Sequence, residues 1–524
     1  MYDAVVIGAG HNGLVAANLL ASSGWSVLVL EAADEPGGAV RSAEVMRPGF
    51  VTDLFSAFYP MGAASPVLRW LQLERYGLRW RHAPAVLAHP LEDGRCALLS
   101  RDIDRTAESL AEFAPGDGRT WRRLYGEWQR IGPTLIEALF RPFPPLGSGV
   151  KLLRALGAAD ALRFARFAVM SVRRYGEEEF DGEGGRLLLT GNAMHTDLPP
   201  EGAGSAVFGW LLTMVGQQFG YPVPEGGSGR LTDALVRRLR GYGGELACGR
   251  RVVKVLVRGG RAVGVRTADG TEIGARYAVL AAVAAPILYR DLVEPAYLPA
   301  RLLGDLDRFQ WDSPTLKLNW ALSGPIPWKA EDARLAGTVH LGGDRAALTD
   351  YAADLACGRL PRTPFVIFGQ MTTADPTRSP AGTESAWAYT HLPRRPLSAE
   401  ELAAQVTAVE ELVERYAPGF RDLVLDRLVQ TPSELEAADA NLVAGAVNGG
   451  TASLHQQLVF RPVPGLGRPE TPLPGLYLAG ASAHPGGGVH GACGANAAHA
   501  ALRARRSRYV SLGIHRAQRY LNRT

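Results

Sequence analysis

The chain opens with an alternation of apolar runs around one glycine-rich turn. Ala4 to Ile7 is a β-type apolar run, Leu14 to Ser23 carries helical spacing, and Val27 to Leu30 is a second apolar run. That order predicts a βαβ start. From Thr106 to Tyr175 apolar residues recur at spacings of three and four, interrupted by the proline-rich stretch Arg141 to Pro145. This predicts a separate, largely helical insert. Gly226 begins a turn into an amphipathic helix, Leu231 to Leu239, whose end is marked by Gly241, Gly243 and Gly244. Val252 to Val257, Ala262 to Thr267 and Tyr277 to Ala281 then read as strands, the first two joined in a hairpin at Gly259 and Gly260. More β-type runs fall between Pro314 and Ala388, and Ala399 to Tyr416 has a helix pattern. Strand Leu476 to Leu478, a glycine-rich loop and a helix from about Ala492 close the pattern, which has no repeat of fixed period.

Composition works mainly by exclusion. A chain of 524 residues, 47% hydrophobic and 21% charged, can bury a large core, and its length suggests two or three compact units. A formal net charge of +4 gives no reason to expect a nucleic-acid partner or an electrostatically driven membrane protein. Cys96, Cys248, Cys357 and Cys493 form no CxxC pair and no metal-ligand spacing, which argues against a disulfide framework, a thiol redox centre and a metal site. A reducing, cytoplasmic setting is expected, with no leader ahead of Tyr2 and no transmembrane helix, since no apolar run reaches about 18 residues. The segment Leu502 to Thr524 carries seven arginines and no acid, interleaved with apolar residues. It reads as a solvated basic terminus, with peripheral contact to an anionic membrane or a partner as the alternative.

The strongest chemical signal is Gly8, Gly10 and Gly13 in GAGHNG, directly after a strand and before a helix. The first glycine permits a tight turn, the second lets backbone approach a pyrophosphate, and the third allows close helix packing. Free N–H groups and the helix dipole favour the phosphate charge. Glu31 ends the next strand at about the 20-residue spacing at which a carboxylate meets the ribose hydroxyls, and it would repel a 2′-phosphate. This motif alone does not separate FAD from NAD. In EAADEPGGAVR, Gly37 and Gly38 give a second close backbone approach, and Arg41 can place a guanidinium near the pyrophosphate. The stretch GLYLAGASAHPGGGVHGACGANAAHAAL sets another strand and glycine loop before a helix, whose N-terminus could stabilise electron-rich flavin. Gly486, Gly488 and Gly491 formally fit GxGxxG, but the loop is long and no acid follows at the distance an NAD site needs.

Together GAGHNGLVAA, GGAV, GGSGRLTDAL, GGTASLHQQLVFRPVPG and AHPGGGVHGACGANAA span nearly the whole chain. They resemble the phytoene desaturase-like flavoproteins, particularly the branch named for pyridine nucleotide-disulfide oxidoreductase domain-containing protein 2. The resemblance implies an α/β fold in which a Rossmann-type FAD-binding domain interleaves with a substrate domain of mixed sheet and helices. The expected division is 1–85, 220–300 and 465–505 for FAD, 86–219 and 301–464 for substrate, and 506–524 for the basic tail. It also implies noncovalent FAD, held by Gly8, Gly10, Asn12, Gly13, Glu31, Gly37, Gly38 and Arg41, with Val253, Gly480, Gly488 and Val489 completing the set. Two positions depart from the flavoprotein pattern: Ala39 stands where an arginine often follows the glycine pair, and Ala481 and Ser482 follow Gly480 where an acid is common.

The resemblance implies a dehydrogenase or desaturase acting on a hydrophobic, isoprenoid or lipid-like small molecule. Desaturation needs a hydride acceptor and a base for the proton lost from the adjacent carbon. His484 and His490 lie in the loop expected to border the flavin, and His195, in GNAMHTDLPP, matches a substrate-domain position of the family. These three are the catalytic candidates, against the reading that each is a structural histidine. Oxygen, a quinone or another carrier could reoxidise the flavin. The alternatives are a non-catalytic flavin-binding scaffold and a flavin amine oxidase.

Overall fold

The computed structural model describes the backbone of residues 1–521 and the side chains of residues 1–506. Strand β1 (Tyr2–Ile7), helix α1 (His11–Ser22) and strand β2 (Val27–Leu30) form the opening unit. The helix starts three residues earlier than its apolar spacing suggests, because Gly10 already caps it. Strands β3 (Ala85–Pro90) and β4 (Cys96–Leu99) follow. The insert is then helical throughout: α2 (Ile103–Ala111), α3 (Asp117–Leu139), α4 (Leu146–Val169), α5 (Val172–Glu179), α6 (Glu183–Ala193) and α7 (Ser205–Phe219). Its proline-rich interruption is the junction between α3 and α4.

Helix α8 (Gly229–Gly241) leads back to β5 (Glu245–Ala247), β6 (Val252–Arg258), β7 (Arg261–Thr267) and β8 (Glu272–Ala281). Gly259 and Gly260, at φ of 57° and 67°, turn the β6–β7 hairpin as expected. Strand β8 is longer than the apolar run Tyr277 to Ala281, because its first residues pair with β7 and the rest with β1. Next come β9 (Thr315–Leu322), β10 (Ala336–Leu341), β11 (Val366–Gln370), β12 (Glu384–His391), α9 (Ala399–Tyr416), β13 (Val424–Gln430), β14 (Leu476–Leu478) and α10 (Ala492–Leu521).

Two sheets organise these elements. In the first, β5, β2, β1, β8 and β14 lie side by side and parallel, with the β6–β7 hairpin continuing from β8. Such strands are covered on both faces, which is why they read as unbroken apolar runs. Ala4 and Val6 pack under α1, α8 and α10, while Val5 and Ile7 pack against Leu288, Tyr289 and Leu302. The second sheet has the order β13-β9-β12-β11-β10-β3-β4, antiparallel except for β10 with β3. One of its faces carries Leu316, Leu318 and Trp320 into a core under α9, and the insert packs around Trp121 and Trp128. Chain segments alternate between the sheets: 2–30, 245–281 and 476–478 build the first, 85–99 and 315–430 the second.

All four cysteines are unpaired, and no helix among the described residues is long and apolar enough to cross a membrane. The side chains of the basic tail lie, from residue 507 onward, outside the described residues.

Candidate active site

Open parallel sheets bind ligands beyond the carboxyl ends of their strands. There a cavity of about 850 Å³ runs from the glycine turn to the free face of the second sheet. Gly8 leaves β1 at φ +91°, and its N–H donates to Leu30 O at 2.8 Å. A Cβ on Gly13 would lie 2.1 Å from Gly8 O, so helix and turn touch backbone to backbone. Gly10 differs. A Cβ there meets no protein atom within 4 Å, and the residue lines the cavity beside His11, Asn12 and Gly13. Protein packing therefore does not account for glycine at position 10; room for a ligand does. Helix α1 has neither a side-chain cap nor an acid in its first turn, so its leading N–H groups remain available to an anion.

Glu31 lines the same end of the cavity. Its carboxylate accepts from Ala9 N at 2.6 Å and Ala33 N at 2.9 Å, which fixes it while leaving lone pairs for sugar hydroxyls. Gly37 is behind the wall: its N–H donates to Ala9 O at 3.0 Å, while Gly38 reaches the cavity. Arg41 donates to Gly38 O at 3.0 Å and Ala438 O at 2.8 Å, and its guanidinium sits 5.1 Å from the Phe55 ring centre. Held by carbonyls and facing the cavity, it offers a positive charge to a diphosphate. Val253 at the start of β6, Gly480 after β14, and Gly488 with Val489 also line the cavity. These donors, the Glu31 carboxylate and the space at Gly10 suit FAD.

At the far end the cavity is walled by one face of the second sheet, with Thr315 and Lys317 of β9, Ile367 of β11, and Trp387 and Tyr389 of β12. Phe58, Met61, His195 and Tyr221 complete this chamber. Lys317 is 3% exposed; its Nζ donates to Asp53 O at 2.8 Å and to Asn319 Oδ1. Burial lowers its pKa to about 7, with Asp53 opposing and Arg378 reinforcing the shift. Asp53 and Arg378 are themselves fully buried and paired at 2.8 Å, and Asp53 also accepts from Ser228 N at 2.8 Å. His195 Nε2 lies 2.7 Å from His340 Nε2, so one proton bridges the two rings. Burial holds both imidazoles neutral, that of His195 down to about 3.

A third feature fixes the wall between the two ends. Asp312 accepts from Val447 N, Asn448 N and Gly450 N at 2.8, 2.9 and 3.0 Å. Arg461, 1% exposed, donates to the carbonyls of Asn448, Gly449, Gly450, Thr451 and Ala481. One side chain thus grips the amides and the other the carbonyls of a loop whose Asn448 and Gly449 line the cavity. Burial raises the Asp312 carboxyl to about 6.

Two of the three candidate histidines do not reach the cavity. His484 is buried edge-on to Phe143, with ring centres 6.2 Å apart. His490 stacks on Phe140 at 4.8 Å, and its Nδ1 accepts from Ala492 N at 3.0 Å. His490 thereby closes the amino end of α10, so that first amide is already partnered and Gly488 and Val489 present the loop to the cavity. Only His195 of the three lines it. Lys317, Asp312 and Arg461 escaped the sequence reading. Arg461 had a signal, since it belongs to the block VFRPVPG, but Lys317 in TLKLNW reads as the polar face of an ordinary strand.

Fold and cavity together define a dinucleotide-binding oxidoreductase. Residues 13–501 match the family of flavin containing amine oxidoreductases, and the chain belongs to that family. Its cofactor is FAD, and the phytoene desaturase-like resemblance holds within this family. The chain is 29% identical to pyridine nucleotide-disulfide oxidoreductase domain-containing protein 2 of Mus musculus, over 96% of this chain and 93% of that protein. It is 26% identical to the neurosporene-forming phytoene desaturase of Rhodobacter capsulatus, over 93% and 91% respectively. A solved oxidoreductase from Methanosarcina mazei superposes with a TM-score of 0.62 at 18% identity, covering 95% of this chain and 99% of that one, which speaks to the fold.

Proposed function

We propose that this FAD oxidoreductase dehydrogenates an uncharged, hydrophobic small molecule, isoprenoid or lipid-like in character, seated against Trp387, Tyr389, Ile367 and Phe58. FAD supplies the two-electron acceptor for the hydride. In this reading Glu31, Arg41 and the α1 amides hold the dinucleotide, and Lys317 Nζ takes the proton lost from the neighbouring carbon. A pKa of about 7 suits that task, because an effective base titrates near the working pH. His195, tethered through Nε2 to His340, lines the chamber and orients the substrate.

One observation carries the choice of substrate class. The acids lining the cavity, Glu31, Glu35, Asp291 and Asp439, are none of them in the chamber formed by β9 to β12, where the ionisable groups are Lys317, His195, Tyr221 and Tyr389. A protonated amine would meet a lysine there and no carboxylate, so the lining favours an uncharged substrate over an amine. The relatives named as phytoene desaturases agree with that preference. Anaerobic mixing of the holoenzyme with isoprenoid or lipid candidates is expected to bleach the yellow flavin band, whereas primary amines leave it unchanged. Bleaching by amines with release of hydrogen peroxide would establish the amine oxidase reading instead. A band that no reductant substrate bleaches would favour a scaffold.

A further inference from the structure

A second cleft, of about 530 Å³, shares no lining residue with the FAD cavity. Three pieces of chain meet there: Arg75, Tyr76 and Arg79, then Glu225, then Arg230 and Arg237 on α8. Antiparallel pairing of Trp80 with Pro224 and of Arg81 with Val223 joins the first two pieces, and Glu225 N donates to Arg79 O at 2.9 Å. Arg230 and Arg237 stand about two turns apart on α8 and so share one of its faces. Arg237 is held in place. Its Nε donates to Tyr76 O at 2.7 Å, and its guanidinium fills the space beside Gly77 (φ +90°), only 3.1 Å from where a Cβ would stand.

Four arginines around one small hollow repel one another, and the chain neutralises little of that charge. Arg230 pairs with Asp233 at 3.3 Å, and Glu225, the single acid on the lining, is taken at Oε1 by Arg81 at 3.0 Å. Among the described residues Arg75, Arg79 and Arg237 have no carboxylate at ion-pair distance. Glu225 Oε2 is buried without a hydrogen-bond partner. The cleft therefore calls for a ligand that brings several negative charges together with a hydrogen-bond donor. A hollow of this volume has the size of a small-molecule site, whereas protein partners meet over broad surfaces. Phosphates engage guanidinium groups through paired hydrogen bonds, a sugar hydroxyl is the donor that Oε2 lacks, and the half-buried Tyr76 offers a ring to a base. We infer that this cleft is a second ligand site, which takes a nucleoside di- or triphosphate with its phosphates on Arg75, Arg79 and Arg237 and a ribose hydroxyl on Glu225 Oε2.

The test is calorimetric titration of the full-length, FAD-saturated protein with ADP, pyrophosphate and sulfate. ADP is expected to bind with a Kd below about 0.1 mM and about tenfold more tightly than pyrophosphate. Arg75→Gln and Arg237→Gln should each weaken ADP about tenfold, the loss that one charge-assisted contact brings. Arg301→Gln, which removes an exposed charge outside the cleft, should bind as wild type does. Glu225→Ala is expected to erase the margin of ADP over pyrophosphate. None of these residues lines the FAD cavity, so the flavin-to-protein absorbance ratio should stay constant across the set. The inference is overturned if ADP does not bind, if the two arginine variants bind it like wild type, or if Arg301→Gln weakens it as much as they do. It is likewise overturned if pyrophosphate or sulfate binds as tightly as ADP, since the site then reads charge alone, or if a polyglutamate peptide binds more tightly, since the cleft is then a contact for an acidic protein.

Discussion

Gly10 and Gly13 belong to one turn, yet a side chain would meet opposite surroundings at the two positions. At position 13 it collides with the Gly8 carbonyl, and at position 10 it enters the cavity. Gly13→Val is therefore expected to destabilise the fold by roughly 1–3 kcal/mol or more. Gly10→Val is expected to leave a folded protein that retains less than about a tenth of its FAD, because one buried clash of 1.4 kcal/mol or more is tenfold in affinity. Thermal melting of the flavin-free proteins and the flavin-to-protein absorbance ratio separate the two outcomes. Lys317 makes a prediction about pH. With a folded pKa of about 7 against 10.5 for a free lysine, the unfolded chain binds the extra proton between those values, so stability rises with pH across that window. Lys317→Met should abolish that rise. It should also remove a pH-rate limb near 7 and lower turnover about a hundredfold or more. The glycines were legible because their spacing is local. Lys317 was not, because Thr315, Lys317 and Asn319 alternate with apolar residues as a solvent-facing strand would, and only the tertiary fold lays the chamber over that face.

At the level of elements, the pinned loop after Ala446 is the most exposed to a single change. Arg461→Leu removes the donor from five buried carbonyls, and an unsatisfied buried group costs about 1–3 kcal/mol. The expected result is a marked drop in melting temperature together with faster FAD release, read by calorimetry and by flavin fluorescence after dilution. Arg461→Lys should recover only part of both, since an ammonium lacks the planar fork that spans several acceptors. Helix α9 was readable to the residue because Ser398 and Glu401 form a reciprocal capping box at its start. The β6–β7 hairpin and β14 were equally local. The order of the second sheet was not readable, because β3 pairs in parallel with β10 across the entire insert and the first sheet's return. The glycine loop before α10 was placed correctly, but the inward turn of His484 and His490 depends on Phe143 and Phe140, which come from another part of the chain.

For the molecule as a whole, the cavity joins the two sheets, so FAD should stabilise both together. Adding FAD at a hundredfold excess over its Kd is expected to raise unfolding free energy by about 2.7 kcal/mol. Fluorescence of tryptophans in the second sheet and loss of parallel-sheet circular dichroism should shift by the same amount; separate midpoints would show that the sheets unfold independently. The alternation of segments between sheets also bears on how the protein is made. Strand β1 leaves the ribosome early, but its neighbour β8 begins only at Glu272 and β14 only at Leu476. At roughly 5–20 residues per second, one apolar strand edge waits on the order of ten to fifty seconds for its mate. Throughout that delay the nascent chain carries a sticky, unfinished border, so co-producing chaperones that hold such borders is expected to raise the soluble yield, which expression with and without them checks.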